Sequence, residues 1–190
     1  MGKHLLWENI KKGDAHAYRQ LFEKHVAILY KYGHKICQES TVVEDAVQEV
    51  FVRIWEKRQQ LGDTDNPKFY LMVALKRELY QRMRSNKFQY QDPQESHFEV
   101  VFSVEEETIL AEHKEINLGK LKKAMEVLTP RQKQVVYHRF FLGLSYEETA
   151  EIMEMNYQSV RNLQSGALKQ LKNEMGDIGL ILTMISQIFS

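Results

Sequence analysis

Three groups of side chains in this sequence have types and spacings that could do chemistry. The first is Gln158, Ser159, Arg161, Asn162, Ser165 and Lys169, a set of amides, hydroxyls and cations that can hydrogen-bond base edges and phosphates. At about 100° per residue, Gln158, Arg161, Asn162, Ser165, Lys169 and Lys172 fall on one side of a helix. Val160, Leu163, Ala167 and Leu171 fall on the other and can pack inward. The second group is Asp45, Gln48 and Glu49, set away from an apolar stripe of Val43, Val47, Val50 and Ile54 and flanked by Phe51 and Trp55. The third is Lys68, Phe69, Tyr70, Lys76, Arg82 and Arg84, with Arg77, Tyr80 and Lys87 among them. Cations for phosphates and aromatics for unstacked bases are what single-strand binding needs. Each group alone is also what an ordinary solvated helix carries, so the elements that hold them decide the reading.

Nothing in the sequence suggests catalysis. There is no nucleotide-binding glycine loop and no nucleophile paired with a base. His34 and Cys37 lie one turn apart, but a metal site needs further ligands, so neither a metal nor a cofactor is expected.

The elements around the first group are well punctuated. Thr129 is a good N-cap with Pro130 at the first helical position, and the helix it starts is expected to run to about Phe141. Gly143 supplies a left-handed stop. Ser145 and Glu148 form a capping box for a short helix ending near Met153. Glu154-Met155 make a tight turn, and Asn156 caps a third helix to about Met175, before Gly176. Two helices joined by a short turn suggest a helix-turn-helix, whose second helix enters the DNA major groove. Earlier in the chain, Asp14 caps an amphipathic helix through Tyr18, Leu21, Phe22, Val26, Leu29 and Tyr30. Thr41 and Glu44 read as another capping box, and Gly62 to Pro67 has turn chemistry throughout. A further helix is expected from about Val104, capped by Ser103.

The chain has 190 residues, 43% of them apolar, three prolines and nine glycines, with apolar runs at helical spacing. The fold expected is all-α, as two small helical domains joined by a flexible acidic linker, the C-terminal one a helix-turn-helix. Net charge is zero, but it is unevenly spread. Residues 1–92 hold 16 Lys/Arg against 12 Asp/Glu, residues 93–119 hold 1 against 7, and residues 120–190 hold 9 against 7. The single cysteine excludes an internal disulfide and fits a reducing cytoplasm. Leu5-Leu6-Trp7 is too short for a signal-peptide core, and no apolar run approaches the roughly 20 residues needed to span a bilayer. The apolar tail GDIGLILTMISQIFS is expected to pack back on the C-terminal domain or to dock a regulatory partner.

The segment LTPRQKQVVYHRFFLGLSYEETAEIMEMNYQSVRNL resembles the promoter-binding region four of bacterial sigma factors, most closely the extracytoplasmic-function group. DAVQEVF resembles the helix with which sigma factors grip the clamp helices of RNA polymerase, and GDAHAYRQLFEKHV resembles the opening of region two. The resemblance covers about residues 5–90 and 120–173. It implies a region-two domain over 1–92 for core polymerase and the minus-ten element. A linker over 93–119, a region-four domain over 120–177 for the minus-thirty-five element, and a tail over 178–190 complete the division. By resemblance, Asp45, Gln48 and Glu49 bind core polymerase. Lys68, Phe69, Tyr70, Lys76, Arg82 and Arg84 hold melted minus-ten DNA, and the loop from Gly62 to Pro67 helps form a pocket for a flipped base. Gln158, Ser159, Arg161, Asn162, Ser165 and Lys169 read the duplex. The implied partners are the polymerase core (clamp helices and flap), double-stranded and melted promoter DNA, and an anti-sigma factor, without membrane insertion. Two departures stand out. Lys76-Arg77-Glu78 occupies a place where the family usually carries Arg-Asn or a similar pair, and Ser165-Gly166 one where an aromatic and an arginine are common. The rival readings are a dimeric helix-turn-helix regulator, which needs neither of the first two motifs, and a sigma-like interaction protein that no longer reads promoters.

Overall fold

In a computed structural model, residues 3–85, 98 and 118–175 are described, and among them every regular element is helical. The chain divides into two compact units, Met1–His97 and Phe98–Ser190. The helix expected from Ser103, the Gly176 stop, Lys87 and the apolar tail lie outside the described residues.

The first unit holds α1 (Lys3–Lys11), α2 (Ala15–Ile36), α3 (Ser40–Glu56) and α4 (Pro67–Ser85), with a short 3-10 turn at Arg58–Gln60. Asp14 caps α2 as expected, its carboxylate accepting from the backbone N–H groups of His16 and Ala17. The core is a three-helix packing of α2, α3 and α4 around Leu21, Leu29, Val43, Val47, Leu71 and Leu75, all buried. The helices approach closely at Gly33, where an added Cβ would lie 2.6 Å from Val43 Cγ1. The expected Thr41–Glu44 capping box does not form. Helix α3 starts at Ser40 with Glu39 at the N-cap and no side-chain capping bond. Thr41 and Glu44 then sit within the first turns, where neither reaches back to the cap.

The loop before α4 is tied to α1. Trp7 is 1% exposed, its Nε1–H donates to the Gly62 carbonyl at 2.9 Å, and its ring meets Tyr70 edge-on at 5.1 Å. Lys11 bonds both Glu8 and Asp63, and the bond to Asp63 above all raises its pKa. Thr64 accepts from Asn66 N–H, and Asn66 Oδ1 in turn accepts from Phe69 N–H at the start of α4.

The second unit holds α5 (Leu118–Glu126), α6 (Pro130–Val136), α7 (Tyr146–Ile152) and α8 (Tyr157–Met175). The other three helices all pack against α8. Thr129 caps α6 and forms a full capping box with Gln132. The expected helix to Phe141 does not continue as α. Residues Tyr137–Phe141 form a π-helical turn closed by Leu142 N–H donating to Tyr137 O at 3.0 Å. The wider turn lets the Tyr137 and Phe141 rings stack at 5.5 Å and 17°, both buried. Gly143 follows at φ +64°, the left-handed stop expected of it. Phe98, inside the stretch read as linker, is 7% exposed and packs edge-on against Tyr137 and His138. Packing of an aromatic on this patch is the signal that charge counting could not supply.

Candidate polymerase and nucleic-acid interfaces

Helix α3 buries Val43, Val47, Val50 and Ile54 and turns Asp45 and Gln48 to solvent, with Glu49 half-buried beside them. Val52 is 48% exposed and lies between Gln48 and Glu49 on the helical wheel. The sequence reading did not single it out, although its spacing from Asp45 places it on that face. An apolar centre within a polar rim is the usual anatomy of a docking surface.

Helix α4 does not gather its candidates on one face. By helical position, Phe69, Tyr70, Lys76 and Arg84 lie on the arc opposite the buried Leu71, Leu75 and Leu79. Lys76 stands 5.3 Å from the Tyr80 ring, a cation–aromatic contact, and Arg84 is exposed. Lys68 and Arg82 point the other way. Arg82 Nε donates to Glu78 at 2.7 Å, and its Nη1 lies 3.9 Å from Asp45. Glu78 is 6% exposed, and its second oxygen accepts from Arg53 Nη2 at 2.9 Å. The same Arg53 nitrogen also donates to Glu49 at 2.9 Å. The Glu49 bond, with Glu78 behind it, raises the Arg53 pKa. Glu78 is therefore a structural carboxylate joining α3 to α4, not a base reader. Arg53 and Glu78 were missed as a pair because they are 25 residues apart, although Glu49–Arg53 and Glu78–Arg82 are both four-residue pairs visible in the sequence.

Beside the loop, a cleft of about 90 Å³ opens between α3 and α4. Ile54, Leu61 and Tyr70 form its walls, with Lys57 and Arg53 also lining it.

In the second unit, Ser145 and Glu148 form the expected capping box. Glu147 in the same turn has its pKa lowered, first by its own backbone N–H and then by the Ser145 hydroxyl. The turn to α8 passes through Glu154 at φ +54°, and Asn156 caps α8 by accepting from Ser159 N–H at 2.7 Å. Gln158, Arg161, Asn162, Ser165 and Lys169 are exposed on one face, with Ser159 half-buried at its flank. Gln158 donates to Asn162 at 3.0 Å, which orients both amides, and the Arg161 guanidinium lies 5.9 Å from the Tyr157 ring. Arg139 braces the motif: it sits 4.1 Å over Tyr146, donates to Gln164 and also bonds the Leu144 carbonyl. A Cβ on Gly166 would lie 3.2 Å from Gln132 Nε2, so the glycine accommodates the side chain that caps α6. Among the described residues no group of three His, Cys, Asp or Glu could hold a metal, and His34 is exposed while Cys37 is buried.

Both units match known family models, each over the region its motifs occupy. Residues 21–89 match sigma-70 region 2, and residues 118–171 match sigma-70 region 4. The chain belongs to the sigma-70 family, in its extracytoplasmic-function group. The ECF RNA polymerase sigma factor SigL of Mycobacterium tuberculosis is 21% identical over 176 residues, covering 88% of this chain and 93% of SigL. BldN of Streptomyces coelicolor is 24% identical over 175 residues, covering 90% of this chain and 65% of BldN. The fold is that of the sigma factor RpoE from Bartonella quintana, solved with the anti-sigma factor NepR, at a TM-score of 0.58 and 22% identity over 84% of this chain and 97% of that one. CnrH, solved with the cytosolic domain of CnrY, gives a TM-score of 0.54 at 18% identity, over 90% and 94%. As a sigma factor the chain directs transcription initiation, in partnership with RNA polymerase and promoter DNA. The sigma-70 family is not a class of enzymes. No described helix is long and apolar enough to cross a membrane.

Proposed function

We propose that the three faces divide promoter recognition between them. Asp45, Gln48 and Glu49 on α3, with Val52 at their centre, dock on the clamp helices of the polymerase core. Phe69, Tyr70, Lys76 and Arg84 hold the melted non-template strand, and the cleft walled by Leu61 and Tyr70 takes a flipped base, whose unstacking costs a few kcal/mol that the pocket must offset. Gln158, Arg161, Asn162 and Ser165 read the minus-thirty-five duplex from the major groove, with Ser159 and Lys169 on flanking phosphates. The domain limits 1–92 and 120–177 follow this division, residues 93–119 link them and residues 178–190 form a tail. The chain works in the cytoplasm, has no catalytic activity or cofactor of its own, and is held in check by an anti-sigma factor. The complexes of RpoE with NepR and CnrH with CnrY support that last point.

The observation that carries the reading is the α3 face: a well-packed helix that turns Asp45, Gln48 and an apolar Val52 to solvent together. The test is reconstituted transcription with core polymerase. The wild-type chain is expected to confer promoter-dependent initiation. The double variant Gln48→Ala/Glu49→Ala should lose core binding about 30- to 100-fold, the lower end of interface hot spots, while melting within about 1 kcal/mol of wild type, since it also removes the Glu49–Arg53 pair. Unchanged core binding by that variant would remove the docking assignment.

A further inference from the structure

Among the described residues of the second unit, Tyr157 is the one large aromatic side chain left exposed, at 41%. It is the first residue of α8, directly after the Asn156 cap. The ring is not loose. It meets Tyr146 at 5.5 Å and 57°. Tyr146 is in turn covered by the Arg139 guanidinium at 4.1 Å, and Arg139 is tied down by Gln164 and the Leu144 carbonyl. The Arg161 guanidinium stands 5.9 Å from the Tyr157 ring. Two rings and two cations thus form a connected series from the π turn through α7 to α8, with Tyr157 as its exposed member.

The position decides what this ring can reach. Residues at the N-terminal end of a recognition helix contact base edges. On the helical wheel Tyr157 lies about 40° from Arg161, at the flank of the face that carries Gln158 and Lys169. The candidates on that face are amides, hydroxyls and cations, which pair with donors, acceptors and phosphates. An aromatic ring offers apolar surface instead, and the major groove presents one apolar group, the 5-methyl of thymine. That methyl lies on the backbone side of its base edge, where a residue at the flank of the reading face arrives. Because Tyr146 and Arg139 already hold the ring, the contact needs little further ordering.

We propose that Tyr157 reads the 5-methyl group of a thymine in the duplex held by α8. This rests on the duplex-reading role proposed for α8. It adds a residue that sets specificity and names the base that this residue selects. Tyr146 is a positioning residue that acts through the Tyr157 ring.

The experiment uses the full chain bound to core polymerase. Preferred duplexes are selected from a randomised pool, and each thymine of the winning sequence is then replaced in turn by uracil. That swap removes the methyl and keeps the base pair. At one thymine the wild-type complex should bind the uracil duplex about 3- to 5-fold more weakly, the worth of one buried methyl. Tyr157→Ala should bind the thymine and uracil forms equally. Tyr157→Phe keeps the ring and should discriminate as wild type does. Tyr146→Leu should lower the thymine-to-uracil ratio while its affinity for the uracil duplex stays near that of wild type. The slope of log affinity against log salt should not change in these variants, since none removes a cation. Thermal melts accompany each variant, and the base swap tests the wild-type chain itself should Tyr157→Ala fail to fold. No methyl-sensitive thymine in the wild-type complex, or a ratio that Tyr157→Ala leaves intact, overturns the proposal. A Tyr157→Phe chain that loses affinity for both forms alike, with the ratio near one throughout, identifies a hydroxyl–phosphate contact and overturns it too. Arg161→Ala separates the two levels. If it weakens binding while Tyr157→Ala keeps the ratio, only the methyl contact falls. If neither variant changes affinity for the selected duplex, α8 does not read DNA and both fall.

Discussion

The two helices proposed to contact DNA treat their cations differently. On α8, Arg161 and Lys169 project into solvent beside amides already oriented by the Gln158–Asn162 bond, a face formed before any ligand arrives. On α4, Arg82 is engaged by the carboxylates of Glu78 and Asp45. The difference follows from packing: Arg82 lies on the side of α4 that meets α3, where Glu78 and Asp45 stand, whereas Arg84 on the opposite arc is exposed like Arg161.

Substitutions can break or sharpen this comparison. The largest expected effect is at Arg161. Arg161→Ala should weaken promoter-duplex binding by about 1–3 kcal/mol, the value of a good base contact, equally in the free chain and with polymerase, while thermal stability stays within about 0.5 kcal/mol of wild type. An effect seen only with polymerase would mean that the α8 face is not ready in the free chain. Next is the packing beneath each face. Gly33→Ala puts a methyl 2.6 Å from Val43 Cγ1, and should destabilise the first unit by about 1–3 kcal/mol in a denaturant melt. At Gly166 the neighbour is the mobile end of Gln132 at 3.2 Å. Gly166→Arg should displace that amide and cost about 0.5–2 kcal/mol through the α6 cap, with a compensating rise in duplex affinity only at low salt. Gly166→Ala should change stability by less than about 0.5 kcal/mol, because the propensity gained in the helix is offset by the tight contact. The smallest effect is acid-side. Glu147 has a lowered folded-state pKa, so its contribution is present above its unfolded pKa and fades as pH falls through the folded one. Glu147→Gln should flatten that part of the melting-temperature profile below the ordinary glutamate range and leave the neutral region unchanged.

The helix-turn-helix was readable because its signals are local. Thr129, Ser145 with Glu148, Gly143 and Asn156 each act within four residues, and each does in the structure what its type suggests. The faces of α3 and α8 were readable for a similar reason, since helical spacing alone sorts Val43 and Val47 from Asp45 and Gln48. What was not readable depends on another helix. The start of α3 moved to Ser40 although Thr41 and Glu44 match a capping pattern. The π turn at Tyr137–Phe141 depends on where two rings stack. The direction of Arg82 needed knowledge that Arg53, far away in the chain, lies across from Glu78. Charge on a helix is legible from sequence; whether the fold has already answered that charge is not.

The chain has two tryptophans, and the placement of one gives this protein an intrinsic optical reporter. Trp7 is sealed from water, hydrogen-bonded to the Gly62 carbonyl and edge-on to Tyr70. Its emission should be blue-shifted, and its quantum yield should report the state of the loop that Gly62 opens. Selective excitation of a chain carrying Trp55→Phe would therefore show in real time whether a single-stranded oligonucleotide reaches Tyr70, with no label attached to protein or DNA.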